Sequence, residues 1–458
     1  MTVSEDLAAS LGSDWVLPGD APGYGTDDSE AAGLAGSPDA VVLPSSTEEV
    51  ARAVSWCYSH GVPIVPRGGG TGFAGGAVPV DGGVVLSLER MTAVRAFDPL
   101  LWRIEVEAGV RTATIHRLAR ESGLFFPPDP GAAEQSQIGG NIATNAGGPH
   151  AFKYGVTGAW VTGLEAVVPP GAVITAGGPI RKDVAGYDLI GLLVGSEGTL
   201  GVITAAWLRL LPAPEAALPV AAFYRTTADG CHAIEAVLGS GLQPSALEYL
   251  DAGALTAAAP AFPKEVPAGA AFAVIAEADG HKDEAEHVQR ELAETLAAGA
   301  LGVERMVEAL AVEALWRWRD GVSHAVSAQR GGKVSEDIVV PVDRLAEAVE
   351  ETVAIGARRG LAACSWGHAG DGNLHSTFLV DRTSADELER AELAAQDLFE
   401  LAVRLGGSVS GEHGIGVAKR GQLARQWPGP ALDLHERVKQ AFDPEGLMNP
   451  GKKLARPG

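Results

Sequence analysis

Cysteine is nearly missing from this chain. The three present in 458 residues, Cys57, Cys231 and Cys364, lie far apart with no CxxC pair, which argues against a disulfide framework or a thiolate metal site and fits a reducing compartment. Basic residues are also short: 35 Lys and Arg against 58 Asp and Glu, a net charge of −23. Such a field repels phosphate backbones and anionic lipid heads, so no nucleic-acid partner is expected, and any acid that binds must be gripped by local positive groups. No apolar run reaches the ~18 residues of a membrane span. The start, MTVSEDLAASLGSD, is acidic and lacks an apolar stretch of signal length. The expectation is a cytoplasmic protein with no transmembrane segment, a peripheral place at the membrane being the variant. No internal repeat and no long low-complexity tract occurs.

What is abundant is glycine, 59 residues concentrated in a few places. The composition is otherwise that of a folded globular protein, 46% hydrophobic and 20% charged, long enough for several domains at about 100–200 residues each. From about 40 to 210 short β-like runs alternate with helical ones. VVLP (41–44) precedes SSTEEVARAVSWCYSHG, where Ser46 and Glu49 have capping-box spacing and Gly61 follows the last turn. VPIVP, GVVLSL (83–88) and WRIEVEAGV (102–110) read as strands, and ATIHRLARESG as a helix ending at Gly123. LRLLPAPEAALP (208–219) looks like a connection, with a boundary near 215. Beyond it the pattern predicts a strand at 271–278, helices at about 282–299 and 303–320, the strand-like DIVVP (337–341), and helices from Asp343 and after Ser384, the latter with capping-box spacing to Glu387. Few strands among many helices suggests a second α+β domain.

Three glycine loops carry the first half. PRGGGTGFAGG (66–76) contains a GxGxxG match at Gly70, Gly72 and Gly75, but a dinucleotide fingerprint needs a helix opening at the third glycine, and here Pro79 and a Gly-Gly pair follow instead. What survives is a run of backbone N–H groups suited to a pyrophosphate. QIGGNIATNAGG (137–148) and GSEGTLGVIT (195–204) follow with no shared period. A β-rich domain with Gly-Asn hairpins is one explanation. The preferred one is a large, elongated, phosphorylated cofactor, approached closely by main chain at Gly139, Gly140, Thr144, Asn145 and Gly147.

In the second half, GHAGDGNLH (367–375) sets His368 and His375 seven apart across a turn, and SGEHGIG (410–416) adds the acid Glu412 with His413 beside it. Two His and one carboxylate form a catalytic-type divalent metal set with open positions, as in zinc hydrolases and non-haem iron enzymes. In LWRWRDGVSHA (315–325), Arg319 and Ser323 are four apart and share a helical face. Arg319 is suited to a bidentate grip on a carboxylate, or it is a solvated arginine near Asp320. Lys333 is a surface residue by base rate or a second anion contact.

In that order PRGGGTGFAGG, PPDPG, IGGNIATNAGG, KDVAGYDL (182–189), GSEGTLGVIT, GHAGDGNLH, SGEHGIG and FDPEGLMNPGK (442–452) resemble the FAD-linked D-2-hydroxy acid dehydrogenases of the vanillyl-alcohol oxidase superfamily, over about residues 38 to 453. That group holds D-lactate dehydrogenase, D-2-hydroxyglutarate dehydrogenase and the glycolate oxidase flavin subunit. The resemblance implies an α+β fold: an N-terminal segment (1–37), an FAD-binding domain of two subdomains (38–214), an α+β cap or substrate domain with an antiparallel sheet (215–425), and a C-terminal segment returning to the flavin domain (426–458). By motif match, FAD contacts are expected from Pro66, Arg67, Gly68, Gly69, Gly70, Thr71, Gly72, Gly75 and Gly76. Others are expected from Pro128, Asp129, Ser136, Ile138, Gly139, Gly140, Thr144, Asn145, Gly147 and Gly148, and from Glu197, Gly198, Gly201 and Ile203. Some relatives outside the group carry a flavin-linking histidine in the first loop; Thr71-Gly72 stands there here, so FAD is expected to be noncovalent.

The resemblance further implies His368, His375 and Glu412 as ligands of a divalent metal, zinc being the expected ion, and His413 as the base. Arg319, Ser323 and Lys333 would contact the substrate acid, with Asn373 close by. The family commonly has threonine where Ser323 falls, and its spacing through Lys333 is not uniform. The implied reaction is metal-assisted oxidation of a D-2-hydroxy acid, D-lactate first, to the 2-oxo acid by hydride transfer to the flavin. D-2-hydroxyglutarate or glycolate dehydrogenase, a flavin oxidase, or a non-catalytic flavin subunit of a larger complex are the alternatives. Quinone, cytochrome, electron-transfer flavoprotein and an iron–sulfur partner all remain open as electron acceptor, and a homodimer is the oligomeric expectation.

Overall fold

Ser46 caps the helix Thr47–His60 by accepting from the Glu49 N–H at 3.3 Å, and Gly61 closes it at φ 65°. The spacing predicts a reciprocal capping box, but the Glu49 carboxylate turns to the Ser45 N–H and hydroxyl instead. Ser384 likewise caps Ala385–Arg404 while Glu387 turns to Arg330 and the Asp381 N–H. The computed structural model describes residues 2–29, 33–427 and 429–454. They divide into two compact units, the first made of the described residues up to 147, 156–213 and the described residues from 412 on, the second of residues 148–155 and 214–411.

In the first unit, Thr47–His60 crosses between parallel strands of a four-stranded sheet ordered Val16–Pro18, Ala40–Val42, Val84–Ser87, Ile64–Arg67, the first strand antiparallel. Ala40–Val42 and Val84–Ser87 are wholly buried, as strands of a parallel sheet are. A second, antiparallel sheet runs Val94–Asp98, Arg103–Glu107, Val202–Arg209, Val161–Val168, Ala172–Gly177. The C-terminal segment returns to this unit: Met448 bridges Ile64, and the buried Asn449 donates to the Gly76 and Glu197 carbonyls.

The second unit is built on a seven-stranded antiparallel sheet ordered Gly302–Arg305, Ala216–Tyr224, Phe272–Gly280, Ala246–Leu250, Ala362–His368, Asn373–Leu379, Lys333–Val339. This corrects the expectation of few strands. It also corrects the predicted helix at 303–320: residues 302–305 pair along the edge of the sheet, and the helix is Ala309–Asp320. Register puts Lys333, Asp337, His375, Trp366, His368, Glu248 and Glu277 on one face, because side chains alternate with a period of two. At one end of that face Ala252–Ala258, Ala309–Asp320 and Val322–Ala328 pack Leu255, Leu315, Trp318 and Val326 onto Phe223, Leu250 and Ile275.

Two boundaries differ from the predicted ones. Residues 148–155 belong to the second unit, since His150 bonds Glu277 at 2.8 Å, Tyr154 donates to Asp279 at 2.5 Å, Lys153 pairs with Asp279, and Phe152 lies against Gly370. The second unit ends at Gly411 rather than at 425, because the Ile415 and Gly416 N–H groups donate to Glu197 of the first unit at 2.9 and 2.6 Å.

Candidate active site

The histidine motif is a β-hairpin. Ala362–His368 and Asn373–Leu379 pair with Trp366 opposite His375, and the turn between them passes through Gly372 at φ 67°. A Cβ on Gly372 would lie 1.9 Å from the Val340 carbonyl oxygen, so only glycine fits both the conformation and the space. His368 and His375 are buried, their rings edge-on with centroids 5.4 Å apart.

His368 Nδ1 lies 2.6 Å from Glu248 Oε1, and Glu248 sits directly opposite it on the neighbouring strand. The other Glu248 oxygen accepts from Arg319 Nε at 2.7 Å and forms an ion pair with Nη2 at 2.5 Å. Glu248 has no exposed surface. Burial pushes its carboxyl upward, but the Arg319 guanidinium and the hydrogen bonds from Arg319 and His368 outweigh this and hold it below the usual carboxylate range. One helical turn before Arg319, the Trp316 indole donates to Glu277 at 2.6 Å, and Ser245 and His150 complete that carboxylate.

Asp337, fully buried across from His375, accepts from Asn373 Nδ2 at 2.5 Å, from the Ser410 hydroxyl at 2.9 Å and from the Gly411 N–H at 2.7 Å. Asn373 Oδ1 is buried with no partner, an acceptor open to a ligand. Glu412 follows Gly411 directly, so anchoring Gly411 sets its starting point through one peptide bond. One ligand atom from each of His368, His375 and Glu412 lies within 4.8 Å of the other two. Two imidazoles and a carboxylate fit a divalent ion with open coordination positions.

Arg319 lies in the last turn of Ala309–Asp320 and Ser323 in Val322–Ala328, with Gly321 dividing the two helices. Lys333 is not on the surface: it is 7% exposed, with its ammonium 5.3 Å from the Trp366 ring centroid.

All the predicted flavin contacts except Gly148 fall in the first unit. Their loops converge there. Gly68 faces Gly140 so closely that a Cβ would reach 3.3 Å from its Cα, and on Gly69 it would reach 2.4 Å from the Gln135 carbonyl oxygen. Pro66 and Arg67 end a strand, and Gly70 and Gly75 take positive φ. Ile138, Gly139 and Gly140 open the helix Ile138–Thr144, which Asn145 ends in the left-handed region. Gly198 packs on Pro66, and the N–H of Glu197 donates to Ala143.

A cavity of about 960 Å³ opens beside these loops, lined by Arg67, Gly68, Gly69, Arg111, Gln135 and Gln137 among others. Gln137 Oε1 is buried with no partner. Bare loops and an open cavity fit a phosphorylated cofactor, and the unsatisfied amide oxygen fits a hydroxyl or N–H donor on it rather than its phosphates.

Several expected contacts are engaged within the protein. Ser136 shares its hydroxyl with Thr112, the Pro128 carbonyl accepts from His116, Thr144 caps onto Gly140, and Ile203 is buried in a strand. The Glu197 carboxylate holds the Ile415 and Gly416 amides. In that same loop the His413 ring lies 4.7 Å from Phe73 of the first glycine loop.

Glu248 and Asp337 escaped sequence reasoning. Glu248 is the single acid of its strand and Asp337 adjoins Glu336 in its own, and only the register of the sheet reveals what each faces.

A model described as FAD binding domain matches residues 38–177, and one described as FAD linked oxidases, C-terminal domain, matches residues 213–453. The glycolate oxidase subunit GlcD of Bacillus subtilis is 37% identical, covering 92% of this chain and 89% of that one. A D-lactate dehydrogenase of Archaeoglobus fulgidus is 36% identical, covering 91% of each. Among solved structures, 4-ethylphenol oxidase from Gulosibacter chungangensis aligns at a TM-score of 0.82 over 99% of this chain and 96% of that one, with 20% identity. p-Cresol methylhydroxylase aligns at 0.81, with 18% identity, over the same shares. These two likenesses carry the fold, the α+β architecture of the vanillyl-alcohol oxidase type. The chain therefore belongs to the FAD-linked oxidases and is an FAD-linked oxidoreductase.

Proposed function

We propose that this protein oxidises a small D-2-hydroxy acid, D-lactate first among them, to the 2-oxo acid. The observation that carries the reading is the meeting of His368, His375 and Glu412 ligand atoms within 4.8 Å, with His413 next in the chain. The relatives named for glycolate and D-lactate support the substrate class. Bound FAD supplies a two-electron acceptor, and a divalent cation, zinc by preference, supplies Lewis acidity toward the substrate hydroxyl.

The chain's own residues do the rest. Arg319, oriented by Glu248, holds the substrate carboxylate, which the protein's net negative field would otherwise repel. Lys333 and Ser323 extend the grip on that acid, with Asn373 close by. His413 Nε2 or Nδ1 takes the hydroxyl proton as the α-hydrogen leaves. The glycine loops 66–76, 137–148 and 195–204 hold the cofactor through main-chain amides, without a covalent link.

Anaerobic titration with D-lactate, D-2-hydroxyglutarate and glycolate tests this reading. Bleaching of the flavin by D-lactate at the lowest concentration is expected. An enzyme whose flavin stays oxidised with all three acids rejects it.

A further inference from the structure

We propose that Glu248 is a positioning residue that couples the metal-binding histidine to the substrate-binding arginine; the inference rests on the metal and substrate roles proposed above. The two oxygens of this carboxylate are divided: Oε1 meets His368 Nδ1 at 2.6 Å, and Oε2 meets Arg319 Nε and Nη2 at 2.7 and 2.5 Å. The arrangement is rigid. Glu248 pairs directly with His368 across two adjacent strands and is wholly buried, and Arg319 is fixed in the last turn of a helix whose Leu315 and Trp318 are buried in the core.

Three consequences follow. With Glu248 as acceptor, His368 Nδ1 carries the proton, and Nε2 is left with the lone pair that a cation needs. A carboxylate behind a ligating histidine also fixes the ring plane and raises the basicity of the ligand, and its loss typically costs about 10–100-fold in metal affinity. The same carboxylate sets the guanidinium orientation, so the spacing between the cation and the point that grips the substrate carboxylate is held by one side chain.

The local sequence, SALEYL, carries no motif for this. A merely structural ion pair would matter for stability but not for the balance between metal binding and substrate binding.

The test uses the FAD-loaded full chain as wild type, Glu248→Gln and Glu248→Asp. Zinc affinity is measured by competition with a chromophoric chelator, and kcat and KM for D-lactate are measured at saturating zinc. Glu248→Gln is expected to bind zinc about 10–100-fold more weakly and to show a raised KM even when zinc is saturating, with FAD content unchanged. Glu248→Asp, which keeps the charge, should recover part of both. Wild-type zinc affinity and KM in Glu248→Gln would overturn the coupling alone, whereas a wild type that binds no zinc would overturn the metal reading with it. If neither variant folds, nitrogen-15 NMR of histidine-labelled wild type decides: a His368 tautomer protonated on Nδ1 is expected, and one protonated on Nε2 overturns the proposal.

Discussion

His413 is the residue on which the proposed chemistry turns, and its ring lies on Phe73 of a glycine loop rather than in the core. His413→Asn is expected to retain FAD while the rate of flavin reduction by D-lactate falls about 100-fold or more, the usual contribution of a general base, read by anaerobic stopped flow. Asp337 makes a different demand. It accepts from Asn373, Ser410 and Gly411, and of these only Asn373 is buried, so Asp337→Ala is expected to lower unfolding free energy by about 1–3 kcal/mol, measured by urea titration. At this scale the sequence was legible where motifs repeat a chemistry: His368, His375 and Glu412 stand out by residue type and spacing, and their ligand atoms meet. Glu248 and Asp337 did not, because an acid in a strand looks the same in sequence whether it faces water or a buried imidazole.

Among elements, the helices were the more readable. Ser46 and Ser384 mark helix starts as expected, since a capping hydroxyl acts within three residues. The second half of each expected capping box failed because its glutamate found other partners, Ser45 in one case and Arg330 in the other. Strands were harder. Ala246–Leu250, Ala362–His368 and Asn373–Leu379 carry polar residues on their buried face, so no apolar alternation announces them. The turn between the last two depends on Gly372. Gly372→Ala meets both a left-handed φ and the Val340 carbonyl 1.9 Å away, and is expected to cost about 3 kcal/mol and to weaken zinc binding. A thermal melt with and without zinc checks both.

For the whole molecule, the chain passes between its two compact units four times, after Gly147, Gly155, Ala213 and Gly411. Only the crossing near Pro214 had a compositional signature, in the proline-rich LRLLPAPEAALP. The other three are decided by side chains distant in sequence, Glu277 and Asp279 for residues 148–155 and Glu197 for the loop after Gly411. No helix among the described residues is long and apolar enough to cross a membrane.

Cofactor and cation are proposed to act on one substrate, so the most direct test removes one and watches the other. Anaerobic reduction of the bound flavin by D-lactate is followed before chelation, after chelation and after zinc is returned. The expected result is bleaching, its loss with FAD still bound, and its recovery. Flavin reduction that proceeds unchanged in fully chelated protein would contradict the proposed chemistry.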